Sequence, residues 1–374
     1  MLTIETTASL SAIDPGHWDR LSQGHPLLSH AFLHALEAGG CVGGDSGWTP
    51  CHLLAREAGQ LVGAMPLYLK DHSYGEYVFD WAWADAYRRH GLDYYPKLLS
   101  AIPFSPVSAP KLMASDAGVR EALLRAALAA AQDVSSLHLL FPTPAEEALA
   151  IEAGMMARRG VQFHWHNRGY AGFDEFLATF SHDKRKKVRQ ERRKVAEAGL
   201  RFTRKVGAQI TDEDWQFFNR CYRLTYRAHH SSPYLRLDFF RMIGRSMGDN
   251  LLLVIAEQAG VPVAAALNIF DERTLYGRYW GTTVFQSGLH FETCYYQALE
   301  FCIERGIAVF EGGAQGEHKL ARGFDPVETR SVHWLAHPQF SDAVERFLER
   351  EAAGIDQYID ELRDHQAYRD AATR

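Results

Sequence analysis

Ionisable and aromatic side chains crowd together at two places in the second half of the chain. Residues 275–281 (LYGRYWG) carry Tyr279 and Trp280, and residues 289–296 (LHFETCYY) follow with His290, Glu292, Tyr295 and Tyr296. The first stretch reads as a strand and the second as the start of a helix. Such a junction presents backbone N–H groups and the positive end of a helix to an anionic group. Its chemistry would be proton transfer, with His290 or Glu292 as base and Tyr295 or Tyr296 as acid. Against this, Tyr and Trp beside strands fill cores more often than they catalyse. The second crowd lies at 310–324 (FEGGAQGEHKLARGF), where closely spaced glycines permit a tight backbone and Glu317, His318, Lys319 and Arg322 fall within six residues. That density of ionisable groups after an apolar strand suits a functional loop better than a plain connection.

Charge is concentrated once more, upstream. Between His182 and Lys194 stand eight Lys and Arg residues against Asp183 and Glu191, a local +6 in a chain of formal charge −6, so the remainder sums to −12. At about 100° per residue, Leu177, Phe180, Val188 and Val195 make an apolar stripe, while Arg185, Lys186, Arg189, Arg192 and Arg193 share an arc of roughly 120°. The plain reading is a solvated helix face. Self-repulsion at that density favours a phosphate-bearing ligand instead: a tRNA backbone, a CoA or nucleotide, or an anionic precursor. No aromatic residue interleaves the run, so base stacking is not indicated, and the acidic body argues against DNA.

The elements that must hold these residues occur twice. Residues 52–59 (HLLAREAG) and 61–64 (LVGA) lie over 253–260 (LVIAEQAG) and 262–265 (PVAA), each reading as a hairpin around Ala-Gly. An aromatic strand is expected next in each copy, at 77–83 and at 275–280, then Gly-Leu, a Tyr-Tyr pair, a helix and an apolar strand. Each copy closes on His-Trp, at His164-Trp165 and His333-Trp334. Helices around 27–37 and 212–229 precede the hairpins. The pattern predicts an α/β protein with a first domain at 1–170, a basic linking helix at 171–199, a second domain at 200–340 and an amphipathic C-terminal helix in 341–374.

Composition bounds the rest. With 374 residues, 47% hydrophobic and 23% charged, the chain can bury two cores. Five cysteines without CxxC spacing give neither a disulfide framework nor a zinc site, and His164 with His166, or His229 with His230, lack further ligands at metal spacing. No metal is expected, and a reducing cytoplasm fits best. The pattern of residues 1–13, with Glu5 and no basic stretch ahead of an apolar one, leads one to expect no secretory leader, and no apolar run reaches the roughly 18 residues of a membrane span. P-loop, zincin and GxSxG signatures are absent.

Residues 66–81 (PLYLKDHSYGEYVFDW), 94–98 (YYPKL), 277–281 (GRYWG), 289–296 (LHFETCYY), 316–319 (GEHK) and 322–324 (RGF) together resemble the bacterial Fem-like N-acyltransferases of peptidoglycan biosynthesis or recognition type. The resemblance spans nearly the whole chain. It implies a tandem duplication of a GNAT-type acyltransferase fold with mixed, mostly antiparallel sheets. It also implies an N-acyltransferase moving an acyl or aminoacyl group from acyl-CoA or aminoacyl-tRNA to an amine, either a cell-wall precursor or a small metabolite. The donor is a substrate and no tightly bound cofactor is expected; tRNA is an implied partner. On this reading Lys319 and backbone amides near Tyr279 and Trp280 meet the oxyanion. Glu317, His318 and Arg322 bind substrate, and Lys70, His72, Tyr74, Glu76, Asp80 and Trp81 of the first copy line the same cleft. The alternative class is a non-catalytic binder of a cell-wall fragment or phosphorylated ligand.

Overall fold

The computed structural model describes residues 1–314, 316–364 and 366–369; His365 and residues 370–374 of the expected C-terminal segment lie outside the described residues. Two compact units emerge, Met1–Gly160 with Glu328–Gln357, and Val161–Val327 with Tyr358–Arg374.

In the first unit, strands His52–Glu57 and Gln60–Met65 turn through Ala58 (φ 49°) and Gly59 (φ 80°). Two left-handed turn residues give the twist that paired strands need. Leu2–Thr7 and Met113–Ala114 extend this hairpin on either side. A second run of strands places residues 331–335 beside Ser136–Leu140, then Lys97–Ser100, Tyr68–Lys70 and Trp48–Pro50. Helix Ala117–Ala130, capped by the Asp116 side chain, packs Leu123, Leu124 and Ala127 against Leu53, Ala55, Leu137 and Leu139.

The second unit repeats the hairpin in Leu251–Gln258 and Val261–Phe270, turning through Ala259 (φ 51°) and Gly260 (φ 78°). The register slip after Ala256 falls 201 residues beyond the one after Ala55, so even the β-bulge is duplicated. Leu200–Val206 flanks the hairpin on one side and Thr274–Thr282 on the other. Val309–Glu311 pairs parallel with residues 274–276, and residues 164–166 of strand Met156–His166 pair with Val309–Glu311.

The division of the chain therefore differs from contiguous domains at 1–170 and 200–340. Each copy's closing His-Trp strand completes the sheet of the other copy's unit: 331–335 joins Ser136–Leu140, and 164–166 joins Val309–Glu311. Three local expectations also change. Residues 77–83 form no strand, and Trp81–Arg89 is a helix. The aromatics at 77, 79, 81 and 83 alternate like a strand, but Trp83 and Tyr87, four apart, bury one helical face while Asp85 pairs with Arg88 and Arg89 on the other. The linking helix is broken, Phe173–Ala178 then His182–Glu197. The C-terminal helix starts three residues early, at Pro338–Arg363. Among the described residues no helix is long and apolar enough to cross a membrane.

Candidate active site

Strand Thr274–Thr282 has a partner on its Val309–Glu311 side only as far as Tyr276, although it stays paired with Val261–Phe270 up to Thr282. Beyond that point the backbone edge of residues 277–282 meets no further strand among the described residues. A β-bulge at Arg278 re-aims the residues around it, since Leu267 faces Tyr279 and Asn268 faces Gly277. The strand also lies hard against helix Asp212–Ala228: a Cβ on Gly281 would stand 2.1 Å from the Cys221 carbonyl oxygen, and Thr225 Oγ1 donates to the Trp280 carbonyl at 2.9 Å.

Facing that edge, Gly288 (φ 84°) starts a helix of which Glu292–Tyr296 is one π-turn. The extra residue rotates the following side chains relative to an α-helix, a device common at functional sites. The helix brings the ring of His290 to 4.6 Å from Trp280, 5.4 Å from Tyr295 and 6.0 Å from His318 (centroid distances). The Tyr295 hydroxyl and His318 Nε2 share a hydrogen bond of 3.1 Å. His318 belongs to the short 3₁₀ helix Glu317–Arg322, entered through Gly316 (φ 117°) and left through Gly323 (φ 82°). A cavity of about 530 Å³ opens here, lined by Val161, Phe163, Gly316, Glu317, His318 and Tyr358. Tyr358 donates to the Glu317 carboxylate at 2.7 Å on its rim. Lys319 lies beneath, 2% exposed, with Nζ donating to the Gly313 carbonyl at 3.1 Å.

The electrostatics are of one sign. Burial, together with His318, Arg322 and Lys319, pushes His290 down to about 4. Burial, then Lys319 and Arg322, takes His318 to about 4 as well. Both imidazoles are neutral at pH 7 and able to accept a proton. Burial lowers the Lys319 ammonium to about 8, and burial raises the Tyr295 phenol, which stays protonated.

Four expected site residues are engaged elsewhere. Glu292 is 3% exposed and takes hydrogen bonds from Arg192 Nε and Nη2 (3.1 and 3.0 Å) and from Gln297 (2.8 Å), so it is held as an ion pair rather than poised as a base. Arg192, also bonded to Glu300 at 2.7 Å, accordingly leaves the phosphate-facing arc. Tyr296 donates to Glu191 at 2.5 Å. Arg322 grips that same carboxylate at 2.8 and 2.9 Å, lies 3.3 Å over the Phe291 ring and donates to the His318 carbonyl at 2.6 Å. These contacts, with buried Val188 and Val195, clamp the basic helix to the second unit. Lys186, Arg189 and Arg193 remain exposed and Arg185 half-buried.

The first-copy residues gather around something different. Lys97, 0% exposed, donates to Ser73 (2.9 Å), to Glu76 (2.8 Å) and to Asp80. Lys70 Nζ donates to the Gly47 carbonyl at 3.2 Å, lies 4.0 Å over the Trp48 ring and is 3.2 Å from His72 Nδ1. Burial takes Lys70 down and Glu76 up, each to about 7; for Asp80 burial is outweighed by Lys97, which holds its carboxyl below the usual range. Tyr94 donates to Asp80 at 2.7 Å. Tyr74 and Trp81 stand exposed above, their rings 4.9 Å apart. Sequence reading missed Lys97, Tyr358 and Phe163. For Lys97 a signal existed: of the five lysines outside the basic helix, Lys70, Lys97, Lys111 and Lys319 are all buried. Tyr358 gave none, lying within an ordinary amphipathic pattern.

The FemAB-like family, described as peptidoglycan biosynthesis/recognition, matches residues 9–370. The chain belongs to this family. FemAB-like proteins are reflected in solved structures as well. FemX matches with a TM-score of 0.56 at 13% identity, over 89% of this chain and 98% of that one. L-PGS from Bacillus licheniformis matches at 0.50 and 10% identity, over 90% and 97%. A tandem GNAT protein from the clavulanic acid biosynthesis pathway follows at 0.47 and 13%, over 90% and 99%. At such identities the likeness is one of fold, here α/β units with mixed, mostly antiparallel sheets. No curated protein matches.

Proposed function

We propose that this FemAB-like chain is an N-acyltransferase whose chemistry takes place in the second unit. The observation that carries the reading is the grouping of His290, Tyr295, His318 and Lys319 next to the cavity that His318 lines, beside the edge of residues 277–282 that meets no further strand among the described residues. The acceptor amine attacks the acyl carbonyl carbon and gives a proton to the neutral His290 ring. The tetrahedral oxyanion is met by the Lys319 ammonium and by backbone N–H groups near Tyr279 and Trp280. When the carbon–donor bond breaks, the leaving thiolate or sugar oxygen takes a proton from Tyr295, whose hydroxyl is replenished through His318. The donor is an acyl-CoA or an aminoacyl-tRNA, with Arg185, Lys186, Arg189 and Arg193 meeting its phosphates. The family description supports a cell-wall precursor as the amine. The role of Glu317 is at the rim, where its carboxylate suits an ammonium. One observation favours a non-catalytic binder, the locking of Glu292 in an ion pair; neutral His318 on the cavity wall with neutral His290 6.0 Å from it weighs more.

The test is mass-spectrometric detection of acyl transfer from a panel of acyl-CoA thioesters and charged tRNAs to amine acceptors. Product formed by the wild-type chain and lost in His290→Ala and Tyr295→Phe is expected. Binding of acceptor without product from any donor would leave the binder.

A further inference from the structure

Two large apolar side chains at one end of the second unit's sheet are left in water. Phe285 is 100% exposed and Val261 61%. Both stand at the same end: Val261 pairs with Gln258 at the hairpin tip, three residues before Ala264, and Phe285 lies three residues after Thr282, the partner of Ala264; the Thr283 N–H donates to the Val263 carbonyl at 2.8 Å. The C-terminal half of the basic helix lies against that end. Gln258 Nε2 donates to the Ala198 carbonyl at 2.9 Å, and Val195 shares a buried cluster with Val263 and Leu289, against which Val284 packs. A Cβ on Gly288 would sit 3.1 Å from Val195 and 3.5 Å from the Glu191 carbonyl. On the helix wheel Lys187 and Lys194 lie within roughly 60° of Glu191. Both are exposed.

Cationic side chains on the helix packed against this end, together with an uncovered aromatic and an uncovered aliphatic residue on an otherwise acidic body, combine the two forces that hold a protein at a lipid interface. RNA phosphates would satisfy the lysines, and a base could stack on Phe285, but an aliphatic side chain such as Val261 offers RNA nothing. We propose that this end of the second unit docks on an anionic phospholipid bilayer. Phe285 and Val261 enter the boundary of the acyl chains, and Lys187 and Lys194 meet the headgroup phosphates. The inference stands apart from the reaction, since none of these four residues belongs to the proposed chemistry.

The experiment is co-sedimentation of the full chain with vesicles of phosphatidylcholine alone or mixed with phosphatidylglycerol, at 0.1 and 0.5 M salt (about 10 Å of screening length and well below). Partition into the anionic vesicles should exceed that into the neutral ones about ten-fold or more and fall with salt. Phe285→Glu and Val261→Glu should each reduce it about ten-fold, and Lys187→Glu with Lys194→Glu should remove the salt-dependent part. All four positions are exposed, and circular dichroism verifies folding. Wild-type protein that ignores anionic vesicles, or Phe285→Glu protein that sediments as wild type, would overturn the proposal. So would tRNA that strips the wild-type chain from vesicles at stoichiometric concentration.

Discussion

After the same hairpin, with the same turn and the same bulge, the two copies part. In the second unit the chain runs on as the nine-residue strand Thr274–Thr282, whose outer edge meets no further strand beyond Tyr276 among the described residues. In the first unit it makes the short strand Tyr68–Lys70, a loop, and helix Trp81–Arg89, and the space is filled by Lys70, Glu76, Asp80 and Lys97. An open strand edge offers N–H and C=O groups to a substrate. A closed ionic cluster offers few, because its charges satisfy one another and are costly to expose singly. Duplication thus left one copy a long strand with no strand neighbour along its outer end among the described residues, and the other a buried cluster of two cations and two carboxylates.

That contrast can be broken at the reaction first. His290→Ala should lower single-turnover rates by about 10² to 10⁴ while urea unfolding stays as in wild type, because base catalysis acts only in the transition state. Unchanged rates would move the chemistry out of the second unit. Next in size, Lys97→Met should lower unfolding free energy by about 3–5 kcal/mol by leaving Asp80 and Glu76 buried without their ammonium, and adding Asp80→Asn should restore part of it. Equal urea midpoints for Lys97→Met and wild type would mean that the cluster carries no structural load. A smaller loss, about 1–3 kcal/mol, is expected for Gly281→Ala, whose Cβ meets the Cys221 backbone. Its test of the comparison is Gly63→Ala at the position matching Ala264, where the nearest atoms are the Val119 and Leu123 methyls; side chains yield where backbone does not, so Gly63→Ala should cost less.

The smallest expected effect is in pH. His290 and His318 are protonated, and so unable to act as bases, only below about pH 4, so activity should be lost as pH falls through that value and not at 6.5. Lys319 gives up its proton near pH 8, so its oxyanion contact should fade above that. Lys319→Arg keeps the charge and should delay the alkaline loss; a ratio of wild-type to variant rates that is flat from pH 7 to 9 would argue against that contact.

The hairpins were legible because Ala-Gly turns and their spacing are local, and the bulge came with them. Residues 77–83 misled because four aromatics alternate with period two, while burial of only Trp83 and Tyr87 decides the structure. Glu292 and Arg192 looked chemical for a related reason: each was judged on its own helix, and the partner that claims each one lies on another, 100 residues away. His290, Tyr295, His318 and Lys319 were legible as a group because glycines and ionisable residues at short spacing constrain where they can go. The cavity wall was not, since Val161, Phe163 and Tyr358 reach it from distant parts of the chain.

The exchange of closing strands has a consequence for how the protein is made. Strand Ser136–Leu140 is buried throughout in the finished protein, yet its partner at 331–335 is translated 195 residues later. At about 5–20 residues per second, that hydrophobic edge waits on the order of 10–40 s on the ribosome before it can be covered. The first unit, though started first, cannot finish before the second unit has been almost entirely synthesised. During that interval an uncovered strand edge is a template for wrong pairing. A nascent chain stalled at residue 300 should therefore bind holdase chaperones through residues 136–140, and one released after residue 340 should not.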